Sequence, residues 1–181
     1  TRQLVLRQAR DVKTPADLKG LKLRMPASKE WLFLGESLGA TATPLSFAEV
    51  YMALKTGTID AQDNPLPTVR AARFHEVSQQ VVLTGHLVDA LFIAISQKTW
   101  ETLTPTQREK VQQAAQAAAL YNNEQRLAEE KNILAYMKQQ GLRITTPDIA
   151  AFKQQVAQRY KTSELAATWP PGLLARIEAV R

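Results

Sequence analysis

The hydrophobic positions change their period along the chain, and each change marks an element. Gln3 to Leu6 is a short apolar run that reads as a strand. Thr14-Pro15-Ala16-Asp17 has the form of a helix start, with Thr as N-cap, Pro in the first helical position and an acid soon after. Leu21 to Met25 alternates apolar and polar residues, the period of a strand with one face covered. Ser28 caps a helix that runs to about Leu38, with Trp31, Leu34 and Leu38 at helical spacing and Gly39 just past its end. Thr41 to Leu45 predicts a second strand of this kind. Ser46 and Glu49 form a capping box, and the helix it opens closes at Gly57. Ile59 to Gln62 predicts another strand, Asn64-Pro65 the start of a helix towards Arg73, and Val77–Thr84 and Leu87–Ser96 two further strands. Strands alternating with helices of about ten residues predict an α/β layer on a largely parallel sheet.

Thr104-Pro105-Thr106-Gln107 opens an element of another kind. From Pro105 to Gln140 there is neither Pro nor Gly, and Val111, Ala114, Ala118 and Tyr121 fall on one helical face before Gly141 stops it. Such a helix spans about 54 Å, more than the diameter of about 40 Å expected of a globule of this chain length. It therefore either protrudes or lies across two bodies. A coiled coil is excluded because Asn122, Asn123, Glu129 and Glu130 interrupt any apolar seam. Beyond Gly141 the pattern predicts a strand at Leu142–Ile144, a helix from Pro147 to about Tyr160, a turn at Trp169–Gly172 and a short amphipathic segment from Leu173. The chain divides accordingly into an α/β region (1–103), a long helix (104–141) and a C-terminal strand with helices (142–181).

Composition narrows the chemistry. A hydrophobic content of 45% over 181 residues is enough for a packed core, and the absence of cysteine removes disulfides, thiolate metal sites and a cysteine nucleophile. His75 and His86 are the only histidines and sit in no nucleophile or metal motif. The glycines are too scattered for a dinucleotide or phosphate loop, so no cofactor and no metal is expected. The longest apolar run, Ala90 to Ile95, is far short of the roughly 20 residues that cross a bilayer. Net charge is +6, and residues 1–25 hold seven basic groups (Arg2, Arg7, Arg10, Lys13, Lys19, Lys22 and Arg24) against Asp11 and Asp17. A basic module for nucleic acid or another anionic surface is one reading of that segment. No zinc finger, homeodomain pattern or aromatic RNA-binding motif accompanies it, so no nucleic-acid partner is expected. An enzyme reading has only Asp60 and Asp63 as an acid/base couple, against the plainer role of loop carboxylates, and no catalytic constellation is present.

A binding reading has more to work with. In parallel α/β sheets ligands sit at the carboxyl ends of the strands. Arg24 ends a predicted strand, and its planar fork grips a carboxylate with two parallel hydrogen bonds. Asn64 follows another strand and leads a helix, either as ligand donor or as N-cap. Phe47 follows the cap Ser46 at a third strand-to-helix turn, as core or as pocket wall.

Three linked blocks carry a resemblance. They are Asp17-Leu18-Lys19-Gly20-Leu21-Lys22-Leu23-Arg24, then Gly39-Ala40 followed by Pro44-Leu45-Ser46-Phe47-Ala48-Glu49-Val50-Tyr51, then Ala53-Leu54-Lys55-Thr56-Gly57-Thr58-Ile59-Asp60-Ala61-Gln62-Asp63-Asn64-Pro65-Leu66. Together they resemble the solute-binding subunits of tripartite ATP-independent periplasmic (TRAP) transporters, DctP type. The resemblance implies the second lobe of a fold like the type II periplasmic binding proteins, with a long bridging helix, C-terminal helices and most of a first lobe missing. It implies a non-enzymatic periplasmic receptor that captures a small carboxylate-containing solute, an organic or sugar acid, and delivers it to integral-membrane TRAP subunits. By position it implies Arg24 as the main partner of the solute carboxylate, Asn64 as a hydrogen-bonding residue, Phe47 as a pocket wall and Arg2 as an assisting arginine. Asp63 stands where the family usually has Glu. A surface left by a missing lobe further implies self-association of such a fragment.

Overall fold

The structure of the chain, a computed structural model, describes residues 1–88 and 90–180. Its organising element is β1 (Arg2–Leu6), which lies inside a six-stranded sheet and is buried on both faces, with Leu4 and Leu6 on one and Val5 on the other. β1 runs antiparallel to β4 (Ala61–Pro65) on one side and to β5 (Gln80–Leu87) on the other. With β2 (Lys22–Met25), β3 (Thr41–Pro44) and β6 (Arg143–Thr145) the order is β3-β2-β4-β1-β5-β6. The β2–β3, β2–β4 and β5–β6 pairs are parallel. The sheet is thus mixed, where a largely parallel one was expected, because hydrophobic period gives a strand's faces and not its direction. The reversed strand has a consequence for position. Arg2, at the amino end of β1, stands opposite Pro65 and Leu87, at the carboxyl ends of β4 and β5.

Helices cover both faces. On the face of Leu4, Leu6, Leu23, Met25, Ala61 and Val82 lie α1 (Lys29–Ser37) and α6 (Ile149–Lys161), contributing Leu34 and Phe152. On the face of Val5 and Val81 lie α2 (Val50–Thr56), α3 (Leu66–Ala71) and the end of α5 (Pro105–Gln139), contributing Leu54, Val69, Ile133 and Met137. The cap residues act as their chemistry suggests. Ser28 accepts the Trp31 N–H, and the Thr14–Asp17, Ser46–Glu49 and Thr104–Gln107 pairs close capping boxes. Gly39 adopts φ +97, and a Cβ there would lie 2.3 Å from the Pro15 carbonyl oxygen. Only glycine lets the chain leave α1 so close to the 3₁₀ turn at Pro15–Leu18.

Several boundaries differ from the sequence expectation. β4 begins two residues later than predicted, so Asn64 is a strand residue and Pro65, not Asn64, precedes α3. Val77–Thr84 and Leu87–Ser96 yield a single strand, β5, preceded by a 3₁₀ turn at Phe74–Val77. Within the second of those runs Asp89 lies outside the described residues, and 90–96 pairs with no strand although its residues favour one. Leu91 and Phe92 there are 83% and 88% exposed. β propensity describes fit to a half-buried pleated surface, and among the described residues no strand pairs with 90–96. It leads into α4 (Gln97–Thr102), a helix the hydrophobic pattern does not announce.

α5 protrudes. Only Ile133 and Met137 of its 35 residues are buried, and the predicted face of Val111, Ala114, Ala118 and Tyr121 is solvent-exposed. β6 joins the sheet and α6 its helical cover, so the first part of the 142–181 region is continuous with the α/β body. A 3₁₀ turn at Ala166–Thr168 and α7 (Leu173–Glu178) follow.

Two stability measurements check this anatomy. Gly39→Ala is expected to destabilise by about 2 kcal/mol or more, from the left-handed backbone and the collision with Pro15. An unchanged melting temperature would refute the close approach. Met137→Ala should cost about 2–5 kcal/mol for a buried side chain, while Leu120→Glu on the protruding part of α5 stays within about 0.5 kcal/mol in urea titration.

Candidate functional site

The sheet register builds the site before any side chain is considered. β2 and β4 pair with Arg24 opposite Gln62. Alternation along a strand then puts Gln62 and Asn64 on Arg24's face, while Asp63 shares the other face with Arg2, whose register partner is Pro65. One sheet edge therefore carries two polar groups of residues, one per face.

The first group is an ion pair with a histidine. Arg2 Nε donates to Asp63 Oδ2 at 2.6 Å, and Arg2 Nη2 donates to the Asp63 carbonyl at 3.0 Å. His86 Nε2 lies 3.2 Å from the same Oδ2, and His86 Nδ1 lies 2.7 Å from Thr84 Oγ1. With the Thr84 hydroxyl donating to Nδ1, the imidazole turns an N–H towards Asp63. The Arg2 guanidinium also lies over the Trp31 ring, 4.6 Å from its centroid. Burial pushes the Asp63 carboxyl up, but hydrogen bonds and charge from His86 and Arg2 outweigh it and hold the group below the usual carboxylate range. Asp63 is thus a counter-charge at neutral pH.

The second group centres on Arg24, which is 4% exposed. Its Nε donates to the Leu45 carbonyl at 2.8 Å, where the chain leaves β3. Its two terminal nitrogens make no hydrogen bond or ion pair with any of the described residues. Burial lowers the guanidinium below its ordinary value; Asp63 opposes this and Arg2 adds to it. Arginine nevertheless stays charged, so this is a desolvated cation held by one neutral carbonyl. Phe47 begins the 3₁₀ turn Phe47–Glu49, packs on Phe74 with centroids 5.4 Å apart, and lies 6.0 Å from the Arg24 guanidinium. It remains 47% exposed, so one side of the ring is packed and the other open. Asn64 accepts from Arg2 Nη2 through Oδ1 at 3.3 Å and donates to Gln62 Oε1 through Nδ2 at 2.6 Å.

All four residues singled out in the sequence thus meet at one edge. Arg24, Phe47 and Asn64 lie on one side of the sheet, and Arg2 reaches them from the other while bound to Asp63. Gln62, Trp31 and His86 were not singled out. For Gln62 the signal was its parity with Asn64; for His86 and Trp31 no local signal exists, since each arrives from a distant element.

The alternatives lose their footing here. Asp60 precedes β4 and accepts the Lys22 N–H at 2.9 Å, at the start of β2. Three residues of strand put it about 10 Å from Asp63 and on the opposite face, so the two cannot share a proton. The basic segment is not a continuous surface, because Arg2 and Arg24 are buried in the sheet edge. Among the described residues no group of three or more His, Asp or Glu is placed to hold a metal, and no helix is long and apolar enough to cross a membrane. What the edge suits chemically is a single carboxylate, taken by the open fork of Arg24 beside an aromatic wall and an amide.

Comparison with known proteins shows the family. The family model described as bacterial extracellular solute-binding protein, family 7, matches residues 1–166. A TRAP periplasmic solute-binding protein from Roseobacter denitrificans, solved with bound 3-deoxy-D-manno-oct-2-ulosonic acid, is 50% identical with a TM-score of 0.95, over 98% of this chain and 59% of that one. The sialic acid-binding periplasmic protein SiaP of Vibrio cholerae is 37% identical over 145 residues, 80% of this chain and 45% of its own length. The 2,3-diketo-L-gulonate-binding periplasmic protein YiaO of Escherichia coli is 35% identical over 151 residues, 83% and 46% respectively. The chain spans about half the length of these curated relatives. Its mixed α/β sheet is that of the TRAP periplasmic binding proteins. With the family model covering nearly its whole length, this chain belongs to the family 7 (DctP) bacterial extracellular solute-binding proteins.

Proposed function

We propose that the chain forms one wall of a solute cleft, the second lobe of a periplasmic TRAP receptor, and that it grips a small sugar or organic acid through Arg24. The observation that carries the reading is the state of that guanidinium. It is buried at the carboxyl edge of the sheet, burial depresses it, and its two terminal nitrogens bond to none of the described residues. A solute carboxylate returns to Arg24 the charge compensation that leaving water removed, and a closed cleft strengthens that pair while an open one leaves it wet. Phe47 supplies the apolar wall for the carbon skeleton, and Asn64 a directional contact to a hydroxyl or a second carboxylate oxygen. Arg2, neutralised by Asp63, adds donor geometry more than net charge.

The relatives' solutes support an acid of the sugar class: 3-deoxy-D-manno-oct-2-ulosonic acid, sialic acid and 2,3-diketo-L-gulonate each name a carboxylate on a polyhydroxylated chain. The opposite wall belongs, in this proposal, to a second body contacted by the exposed run that holds Leu91, Phe92 and Ile93 and by the protruding part of α5. Delivery is to a membrane permease in the periplasm, as befits a family of binding proteins that work without chemistry on the solute.

Replacing Arg24 with Ala is expected to weaken binding of 3-deoxy-D-manno-oct-2-ulosonic acid by about 2–5 kcal/mol, with Arg24→Lys recovering only part of it for want of the fork. Calorimetric titration, or NMR titration where affinity is millimolar, reads the change. Equal affinity in the Ala variant would remove Arg24 from this role.

Asp63 generates a second expectation, in stability. Its folded-state pKa is depressed, so its contribution is complete at neutral pH and is lost only as pH falls below the ordinary carboxylate range. Asp63→Asn strands the buried Arg2 charge and should cost about 3–5 kcal/mol near pH 7, with the gap from the parent narrowing near pH 3. Urea denaturation at both pH values gives the comparison, and a gap independent of pH would count against the counter-charge role.

A further inference from the structure

One buried side chain at this edge carries a polar group with no partner among the described residues. Gln62 is fully buried inside β4, directly opposite Arg24 in the β2–β4 register and on the same face as Asn64. A carboxamide in such a place is costly unless both of its ends are bonded, and an apolar side chain would fill the space without that cost. Here only one end is bonded. Gln62 Oε1 accepts from Asn64 Nδ2 at 2.6 Å, while Gln62 Nε2 is buried without a partner.

The direction of this bond is imposed from outside. Asp63 clamps Arg2, and Arg2 Nη2 donates to Asn64 Oδ1. Turning the Asn64 amide over would set its NH2 against the Arg2 donor, so Asn64 must present its NH2 to Gln62. Gln62 can answer an NH2 only with its oxygen, and its own NH2 is then the orphan. One polarity therefore passes from Asp63 through Arg2 and Asn64 to Gln62.

We propose that Gln62 is a positioning residue for the acid-binding edge. It forgoes a hydrogen bond of its own to anchor the NH2 end of the Asn64 carboxamide, whose oxygen end Arg2 already holds, so that the amide is fixed at both ends. A solute oxygen arriving beside Arg24 then meets an amide whose remaining N–H is aimed beforehand, and less orientational freedom is lost on binding. This inference rests on the reading of Arg24 and Asn64 as solute contacts. It differs from a structural role for the Gln62–Asn64 bond in one measurable respect. Gln62→Met removes the orphan donor together with the acceptor, so stability should hold while affinity falls; a purely structural bond predicts the reverse.

The test uses the chain with 3-deoxy-D-manno-oct-2-ulosonic acid as probe, in Gln62→Met, Asn64→Ala, the double variant and Arg24→Ala. Gln62→Met is expected to bind roughly three- to tenfold more weakly with a melting temperature close to the parent's. In the Asn64→Ala background the same change should have no further effect, because there is no amide left to orient. Unchanged affinity in Gln62→Met, or losses that simply add in the double variant, would overturn the proposal. If Arg24→Ala leaves affinity intact, the site reading fails and takes this inference with it; if only Arg24→Ala weakens binding, this inference fails alone. Should Gln62→Met not fold, the parent chain still decides. The Asn64 side-chain NH2 protons should exchange slowly with solvent before any solute is added, and rapid exchange would refute a held amide.

Discussion

Two guanidiniums share one desolvated sheet edge, and that arrangement is tenable because Asp63 neutralises one of them. Removed from water, like charges repel with little screening. The Arg2–Asp63 pair, bonded at 2.6 Å and backed by His86, converts one cation into a neutral, rigid support. The other, Arg24, keeps its charge and an open fork. The asymmetry between these two arginines leaves one net positive charge at the edge, and it depends on a single carboxylate that is fully buried.

The reversed strand makes that asymmetry possible. Had β1 run with its neighbours, Arg2 would lie at the opposite edge, beside Asp60 and Lys22. Because β1 opposes β4 and β5, its first residue arrives among their last ones. Adjacent positions in β4 then serve different faces: Asp63 turns to Arg2, while Gln62 and Asn64 turn to Arg24. A three-residue stretch, Gln62-Asp63-Asn64, thus supplies a counter-charge to one side of the sheet and two carboxamides to the other.

Energetically the edge is not optimised for stability. Arg24 is buried against one carbonyl, Gln62 carries a buried donor with no partner among the described residues, and Phe47 leaves half its ring open. Each feature costs the chain something, and the proposed solute contacts would offset that cost. The same economy marks the exposed run around Leu91–Ile93 and the first turns of α5, whose apolar side chains have no cover within the described residues.

Much of this was legible in the residues themselves. Cap chemistry at Thr14, Ser28, Ser46 and Thr104 located the helix starts, because those side chains bond to backbone within three residues. A short apolar run located β1, a period-2 run located β2 and the strand expected at Thr41–Leu45 matched β3, each to within a residue or two, and a helix free of Pro and Gly announced its own overreach. The linked motifs around Arg24, Phe47 and Asn64 marked residues that the structure brings together at one sheet edge. Strand direction, the failure of the second apolar run to extend as a strand beyond Leu87, and the strand placement of Asn64 were not legible, since each is decided by which neighbour supplies hydrogen bonds. Nor were the partners of Arg2, because Asp63 and Asn64 meet it across separations of 61 and 62 residues in sequence. Local rules set what each segment tends to become; long-range register alone decided which of two arginines would be left with its charge uncompensated.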